Sequence, residues 1–378
     1  MAQGASRGEG TRRWQERGLA VLMRFVACPI DRAATFNVRK DPRAVQEVLS
    51  SAQARFVLVH SKRVLGSWHG GRAGLSWWTR QEVLGLAPRA EEEPIYLGPL
   101  RNASGALAGC QAFAVDVGAL LSEADALAAG PGAEAGPLRW CSGRDLMISD
   151  ASDDDVAIAG MALAMTGWHV TAKFDGRTGQ PTVPVEGGAK RQVQGGSGKL
   201  YPRTDPVAIG LIMSADGRRI LLGRGHKHPV GMYTCIAGFV DQCESVEEAL
   251  RREALEEAGV RLGHVELMNS QPWPIGRAGS CELMLGCRAV ALDEDIKVNP
   301  TELLHARWFT KAEVRKMLVG QHPHGFAVPP PFAIAHHLIR DWAHPPSAWW
   351  AWLWACCLGG CGRDSEHPRP ACANACTR

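Results

Sequence analysis

Four charged residues at helical spacing are the first that could do chemistry: Arg252, Glu253, Glu256 and Glu257. Glu253 and Glu257 are four apart, so on a helix they project from one face about one turn from each other. Arg252 precedes Glu256 by four residues and can pair with it, which leaves Glu253 and Glu257 available. Carboxylates placed in this way suit Mg²⁺ or Mn²⁺, because these ions take oxygen ligands and offset the repulsion between the acids. Glu256 and Glu257 alone would also fit a solvated acidic helix face.

Local signals at both ends predict the helix that must position these acids. Ser245, followed three residues later by Glu248, predicts a capping box in which each side chain bonds the other residue's backbone amide. Gly259 is the residue type that most readily takes the left-handed conformation after a last helical turn. We therefore expect a helix from just after Ser245 to just before Gly259.

The fixed residues of this stretch resemble the Nudix box. They are Gly238, Glu244, Arg252, Glu253, Glu256, Glu257 and Gly259. Ala254 stands where a larger aliphatic residue is usual. The resemblance implies an α/β fold, namely a Nudix α/β/α sandwich around a mixed sheet. It also implies metal-dependent hydrolysis of a nucleoside diphosphate linked to another moiety.

A second motif, Ser-Gln-Pro-Trp-Pro, follows the box at residues 270–274. Two prolines stiffen the backbone, so Trp273 could stack on a flat heterocycle while Gln271 bonds its edge. A buried tryptophan at a proline-rich strand exit is the alternative that these residues leave open. The position of the motif resembles the NADH pyrophosphatase branch of the Nudix superfamily. The segment 275–282 is longer than in that branch, with Ser280 in place of the family's serine.

The resemblance to this branch implies a reaction and a set of site residues. The reaction is hydrolysis of the pyrophosphate of NADH, or of NAD⁺, to NMNH or NMN and AMP. Mg²⁺ or Mn²⁺ would neutralise the diphosphate and lower the pKa of a bound water. The implied metal ligands are Glu253, Glu257, the distal Glu302 and the Ala237 carbonyl. The catalytic candidates are Glu257 as general base, Glu256 as the second choice, and Arg252. The substrate-binding candidates are Tyr201, Phe239, Gln271, Trp273, Ser280 and Ala335.

Composition and element patterns divide the chain into segments. Residues 1–35 are expected to be a disordered leader, and residues 36–168 a smaller α/β domain that resembles the N-terminal domain of NADH pyrophosphatases. By that resemblance we expect a homodimer. Residues 201–343 are the predicted Nudix hydrolase domain. Residues 344–378 are a Trp- and Cys-rich tail without a counterpart in the family, and we expect it to be disordered.

Residues 169–200 are predicted to be a degenerate zinc-ribbon linker. In the family this connector carries two cysteine pairs, but Asp175 and Thr178 stand in place of the first pair here. No cysteine occurs between Cys141 and Cys235, so the second pair is missing as well. Because tetrahedral Zn²⁺ needs about four suitable donors, we expect no structural Zn²⁺ and a flexible, glycine-rich linker.

The net charge and the cysteine content indicate which classes of partner and which cellular compartment to expect. The formal net charge of +3 gives no strong field for nucleic acid or membranes. The 12 cysteines lack a secreted-type framework and indicate reduced thiols of an intracellular protein. No charge-free apolar run reaches the roughly 18 residues of a membrane span, so we expect no membrane contact. The chain is similar to eukaryotic, peroxisomal-type members without the zinc-ribbon cysteines, but Cys376-Thr377-Arg378 is not a peroxisomal address. Cytoplasm, peroxisome and another organelle stay open.

Two alternatives to NADH hydrolysis stay open. The same chemistry could remove an NAD cap from RNA 5′ ends, so that the partner is either a small-molecule dinucleotide or NAD-capped RNA. The chain could also be a catalytically idle Nudix-fold module that binds a dinucleotide. The complete carboxylate set favours an enzyme over that module.

Overall fold

The structure, a computed structural model, describes residues 23–69, 72–90, 93–101, 105–128, 137–276 and 280–345. The leader up to residue 22 and the predicted tail from residue 346 onward lie outside the described residues. Two α/β domains follow one another along the chain, with a small three-stranded sheet between them in sequence. In the part of the chain that the structure describes, no helix combines the length and the hydropathy that a bilayer-spanning segment requires.

The N-terminal domain is built on a seven-stranded sheet. Its strands are β1 (Ala54–His60), β2 (Arg63–His69), β3 (Arg72–Leu75), β4 (Trp77–Thr79), β5 (Ile95–Pro99), β6 (Gln111–Asp116) and β7 (Leu138–Cys141). Its helices are α1 (Arg32–Lys40), α2 (Pro42–Ser50), α3 (Arg80–Leu86), α4 (Glu123–Ala128), α5 (Gly143–Ile148) and α6 (Asp153–Thr171). The strand order is β3-β2-β1-β6-β5, with β4 also paired to β1 and β7 to β2.

Apolar side chains cover both faces of this sheet. The central strands β1 and β6 run parallel, with Phe56 opposite Phe113 and their ring centroids 5.3 Å apart. Helix α6 begins after Ser152 as N-cap, with three aspartates in its first turn, where negative charge is favoured by the helix dipole. It buries Val156 and Leu163 against one face of the sheet. With 19 residues, up to Thr171, this helix covers much of that face.

Residues 23–35, which were expected to belong to a disordered leader, are folded, and this boundary is corrected. Phe25 and Ile30 are buried in the N-terminal core. The guanidinium of Arg24 is buried as well and donates to the Ala151 carbonyl at 2.8 Å. Isolated apolar anchors and hydrogen bonds to distant residues hold the segment before α1, so it carries no periodic pattern that sequence reasoning could detect.

Residues 169–200 also differ from the flexible linker that the sequence predicts. They contain an antiparallel sheet of β8 (Thr182–Val185), β9 (Lys190–Val193) and β10 (Lys199–Leu200). Asp175 accepts hydrogen bonds from the backbone amide and the hydroxyl of Thr178, at 3.1 and 2.7 Å. The two residues in place of the first cysteine pair thus close a turn with each other.

A buried polar network holds this small sheet to α6. Arg191 donates to the hydroxyl and the carbonyl of Thr182, each at 2.8 Å. Another N–H of Arg191 points at Nδ1 of His169, 2.8 Å away, while Nε2 of His169 lies 2.7 Å from the Gly188 carbonyl. Because arginine only donates and a carbonyl only accepts, His169 is the neutral tautomer with its proton on Nε2. The connector is ordered by side chains that satisfy one another.

The second domain is a mixed sheet between helices. Its strands are β11 (Asp205–Met213), β12 (Arg219–Gly225), β13 (Ile236–Phe239), β14 (Leu262–Trp273), β15 (Glu282–Ala291) and β16 (Leu303–Thr310). Its helices are α7 (Val246–Ala258), α8 (Lys311–Leu318) and α9 (Ile334–Ala343). The strand order is β14-β15-β11-β12-β16, with β13 paired to β11, and β11 runs parallel to β15. One apolar cluster lies under α7 and another under α8 and α9, so the predicted α/β/α sandwich is confirmed.

The motif at residues 270–274 lies mostly within β14 rather than after it. Strand β14 is at the end of the strand order and pairs on one side with β15, with Pro272 opposite Leu283. A proline is tolerated there because an edge strand loses no ladder hydrogen bond on its outer side. The motif therefore marks the edge of the catalytic sheet.

Acidification should weaken the connector through His169. Burial, together with Arg191, keeps the pKa of His169 below its ordinary value of 6.5. Because the unfolded chain then binds the proton more readily than the folded chain, the free energy of unfolding should fall as the pH drops through 6.5. Urea unfolding at about pH 7.5 and about pH 5.5 measures this. His169→Gln should lose part of the dependence, and the exposed-site control His264→Gln should retain it. Equal dependence in His169→Gln and the unaltered chain would contradict the network.

Candidate active site

Capping interactions fix both ends of helix α7, and a close contact with β11 fixes its position against the sheet. The Ser245 hydroxyl accepts from the Glu248 amide at 3.2 Å, and the Glu248 carboxylate accepts from the Ser245 amide at 2.8 Å. Gly259 ends the helix with φ of 71°. Both predicted signals are confirmed. On β11, a Cβ at Gly210 would lie 2.4 Å from Leu250 of α7, so this glycine lets helix and sheet come together.

Arg252 joins the loop before α7 to the helix itself. Its guanidinium donates to both carboxylate oxygens of Glu244, at 2.8 and 2.9 Å, and to the Phe239 carbonyl at 2.8 Å. Nη1 donates to Glu253 at 2.7 Å and to Glu256 at 3.1 Å. Hydrogen bonding to Glu244 above all raises the pKa of Arg252, and Arg252 in turn holds the pKa of Glu244 below its ordinary value. One planar cation thus fixes three acids and one carbonyl.

The expectation that Arg252 leaves Glu253 available needs correction, since the two are bonded. Glu253 also lies directly over the backbone of Gly238, where a Cβ would be 1.9 Å from the carboxylate. Burial raises the pKa of Glu253 in spite of the bond from Arg252. A largely buried carboxylate whose charge is only partly compensated suits a divalent cation. The carbonyl of Ala237, the residue before Gly238 on β13, is the second oxygen expected there.

The backbone brings Glu257 and the loop of Glu302 together. The Asn299 amide donates to the Glu257 carbonyl at 2.9 Å, and the Glu302 amide donates to the Asn299 carbonyl at 3.1 Å. The loop of Glu302 is thereby docked on the last turn of α7. Within the described ranges, however, no three His, Cys, Asp or Glu side chains form a preformed metal-binding group. The expected convergence of Glu253, Glu257 and Glu302 is therefore not present as a side-chain cluster.

Two substrate-binding candidates expose an aromatic ring. Phe239 is 41% exposed and directly follows Gly238 at the end of β13. Tyr201 is 61% exposed, with Nζ of Lys190 5.3 Å from its ring centroid. Both rings have an accessible surface on which a flat base could stack.

Gln271 is fully buried, and its amide is used within the protein. Its nitrogen donates to the carbonyls of Arg24 and Phe332, at 2.9 and 2.8 Å. Its oxygen accepts from the Ile334 amide at 2.8 Å. The expectation that Gln271 bonds a substrate base is therefore corrected. The residue ties the first folded segment and the start of α9 to the edge of the catalytic sheet.

The remaining substrate-binding candidates take different positions. Trp273 is half-buried and meets the ring of Phe25 edge-on, with centroids 6.1 Å apart, against the N-terminal core. This packing is in the direction of the alternative, a buried tryptophan, while the stacking of Trp273 on a base stays a prediction. Ala335 is buried in the core beneath α9. Ser280 donates to the Glu282 carboxylate at 3.1 Å.

Sequence reasoning missed two residues that hold the site together. Glu244 belongs to the motif, and its place in the box was the available signal, but it was not among the site candidates. Arg24 links the first segment to both domains through its backbone and its guanidinium. No sequence signal marks Arg24, because its partners are more than 100 residues away.

The NUDIX domain family model matches residues 204–327. These residues form a Nudix domain.

The relatives of the chain lie in one branch of this superfamily. NAD-capped RNA hydrolase NUDT12 of Macaca fascicularis is 41% identical over 198 residues, which are 50% of this chain and 42% of that protein. NAD(P)H pyrophosphatase NUDT13, mitochondrial, of Homo sapiens is 38% identical over 198 residues, 50% of this chain and 55% of that protein. NAD-capped RNA hydrolase NudC of Mycobacterium bovis is 33% identical over 197 residues, 50% of this chain and 61% of that protein. The chain thus spans about half the length of the relatives it matches. The similarity is to the NADH pyrophosphatase branch.

Replacing Arg252 by Lys should lower any hydrolytic activity of the Nudix domain. Lysine keeps the charge, but an ammonium group cannot bond Glu244 through two nitrogens and also reach the Phe239 carbonyl and Glu253. Each lost charge-assisted bond contributes about 1.5–3 kcal/mol, so kcat/KM should fall by about 100-fold or more. Arg251→Lys, on the same helix, is the matched control, because Arg251 donates to the Gly263 carbonyl instead. Similar activity of the two variants would contradict the role of Arg252.

Replacing Gln271 by Ala should destabilise the Nudix domain rather than act on a bound base. The change leaves the Arg24 carbonyl and the Ile334 amide without this buried partner, and leaves the Phe332 carbonyl with the Arg24 amide as its remaining donor. We expect the free energy of unfolding to fall by about 2–3 kcal/mol, measured by urea unfolding. His264→Ala, exposed on the same strand, should change it little. Unchanged stability together with a raised KM would restore Gln271 as a substrate contact.

Proposed function

We propose that this chain hydrolyses the pyrophosphate bond of NADH and NAD⁺, with Mg²⁺ or Mn²⁺, to NMNH or NMN and AMP. The observation that carries the proposal is the set of bonds made by Arg252, which fixes Glu244 and holds the largely buried Glu253 over Gly238 of β13. The NAD(P)H pyrophosphatase among the relatives supports the choice of substrate. Because the relatives are matched over only part of their length, the substrate is part of the proposal.

The residues around Gly238 fit a divalent cation. Glu253 offers a carboxylate whose raised pKa reflects burial, and Ala237 offers a neighbouring carbonyl. We assign both as ligands and propose that Glu257 and Glu302, whose loop is bonded to the last turn of α7, turn toward the ion and complete the set when it binds. When bound, such an ion neutralises the diphosphate and makes an attacking water more acidic.

Side chains of the protein orient the metal ligand Glu253 and take the proton of the attacking water. Arg252 keeps the Glu253 carboxylate over Gly238 and is a positioning residue. Glu257, one turn further on α7, is the proposed general base, whose carboxylate oxygen takes the proton of the attacking water. Glu256, bonded to Arg252, is the second choice for that role. The exposed rings of Phe239 and Tyr201 are the proposed contacts for a base.

A second candidate function is removal of the NAD cap from RNA by the same chemistry. The names of two relatives, NAD-capped RNA hydrolase NUDT12 and NudC, favour it. The attacked bond is the same, so the site residues keep their roles. The two substrates differ only in the RNA strand that is attached to the adenosine. By its resemblance to the branch we also propose a homodimer, which light scattering on the purified chain would test.

Turnover assays test these proposals directly. NADH, NAD⁺, ADP-ribose and NAD-capped RNA should each be offered with Mg²⁺ and with Mn²⁺. The Glu257→Gln variant should lower kcat by about 10²–10⁴-fold, and Glu256→Gln should lower it less. Glu247→Gln, in the first turn of the same helix, is the control and should keep normal turnover. Binding without turnover on any substrate would make the chain an idle dinucleotide-binding module. Near-normal kcat in Glu257→Gln would remove that residue from the mechanism.

A further inference from the structure

A cavity of about 410 Å³ lies where the first folded segment meets both domains. Its lining includes Phe25, Cys28, Arg32, Arg101, Ser270 and Pro272. We propose that this cavity binds a phosphate esterified to the adenosine ribose of the substrate, through Arg32 and Arg101. Such a phosphate is the 2′-phosphate of NADP(H) or the 3′-phosphodiester of NAD-capped RNA. The inference rests on the proposed function, since it assumes that the scissile diphosphate lies at Glu253.

The strand register places the cavity on the catalytic face of the sheet. Gly238 lies opposite Ala208 of β11, Ala208 opposite Leu285 of β15, and Leu285 opposite Ser270 of β14. Side chains in one such row project to the same face, so Ser270 shares the face on which Glu253 covers Gly238. With neighbouring strands about 4.8 Å apart, three steps separate Ser270 from Gly238 by about 14 Å.

The surface between Gly238 and the cavity is open enough for a substrate to lie across it. Ser270 is exposed and Leu285 is only half-buried, because α7 covers the other end of β15, at Cys287 and Ala289. About 14 Å is too far for a diphosphate alone. A second phosphate on the ribose extends the negative charge from the diphosphate toward the cavity, and an ion at Glu253 and the long side chains of Arg32 and Arg101 would cover the rest of the distance.

The charges in the cavity favour an anion. Nη2 of Arg101 is 3.4 Å from Oδ1 of Asp31, and the same oxygen already accepts from the Ala33 and Ala34 amides, each at 3.0 Å. Among the described residues Arg32 has no carboxylate within ion-pair distance. Asp154 also acts on Cys28 of the lining, but among the described residues it makes no ion pair with Arg32. The guanidinium of Arg32 is therefore available to an anion, and that of Arg101 is held only by a carboxylate that already has two other donors. The planar fork of arginine matches the oxygens of a phosphate.

The cavity wall is held in place without a ligand. Phe25 and Ala27 have φ of 65° and 52°, a left-handed conformation that is strained for residues other than glycine. Gln271 fixes this stretch by donating to the Arg24 carbonyl, and the Arg24 amide donates to the Phe332 carbonyl at 3.2 Å. A wall ordered in advance reduces the entropy that binding must lose.

Binding of small probes to the full chain tests the cavity without turnover. Calorimetry should compare AMP with adenosine 2′,5′-bisphosphate and adenosine 3′,5′-bisphosphate. We expect one bisphosphate to bind about tenfold or more tightly than AMP. Arg32→Gln with Arg101→Gln should abolish that preference and leave the AMP affinity unchanged. Arg43→Gln with Arg72→Gln removes the same charge from exposed arginines outside the cavity lining and should keep the preference.

Kinetics then identify the source of the phosphate. In Arg32→Gln with Arg101→Gln, kcat/KM for NADH should stay within about twofold, while kcat/KM for NADPH or for NAD-capped RNA should fall about tenfold. A loss on NADPH alone assigns the 2′-phosphate, and a loss on RNA alone assigns the 3′-phosphodiester. No bisphosphate preference in the unaltered chain, or equal loss of AMP affinity in the variant, would overturn the inference. Absence of all turnover would instead defeat the proposed function, and the bisphosphate preference would still decide the cavity.

Discussion

One guanidinium group, that of Arg252, is the interaction on which the site depends. Glu244, Glu253 and Glu256 all form ion pairs with this one side chain. Without the shared cation, their negative charges would repel one another at a site that is partly shielded from water. The arginine also takes the Phe239 carbonyl, so the strand end, the following loop and α7 are tied at one point. The helix caps, the small glycine on β11 and the register of β13 with β11 all serve to bring these partners to it.

A second joint connects the two domains. Gln271 on the edge strand bonds the first folded segment on one side and the start of α9 on the other. Trp273 then packs on Phe25 in the N-terminal core. The motif at residues 270–274, which resembles that of the NADH pyrophosphatase branch, thus mainly makes contacts within the protein.

What could be predicted from the sequence depends on how local the determining contacts are. The capping box, Gly259 and the acids of α7 lie within one short stretch, so spacing alone predicted the helix and both of its ends. The partners of Gln271 are 247 and 61 residues away, and no pattern near residue 271 indicates that its amide is already satisfied. The connector, residues 169–200, shows the same limit of prediction from local sequence. Missing cysteines argue against a zinc ribbon, but Arg191, His169 and Thr182 are too far apart in sequence to reveal the network that orders it instead.

The proline in β14 has a consequence for how copies of this protein can meet. An outermost strand normally presents amide hydrogens that another chain can pair with, which is a common route to aggregation by strand addition. Pro272 has no amide hydrogen, so a continuous intermolecular ladder cannot be built along this stretch of the rim. Any association between copies at this end has to use side chains rather than an extended sheet.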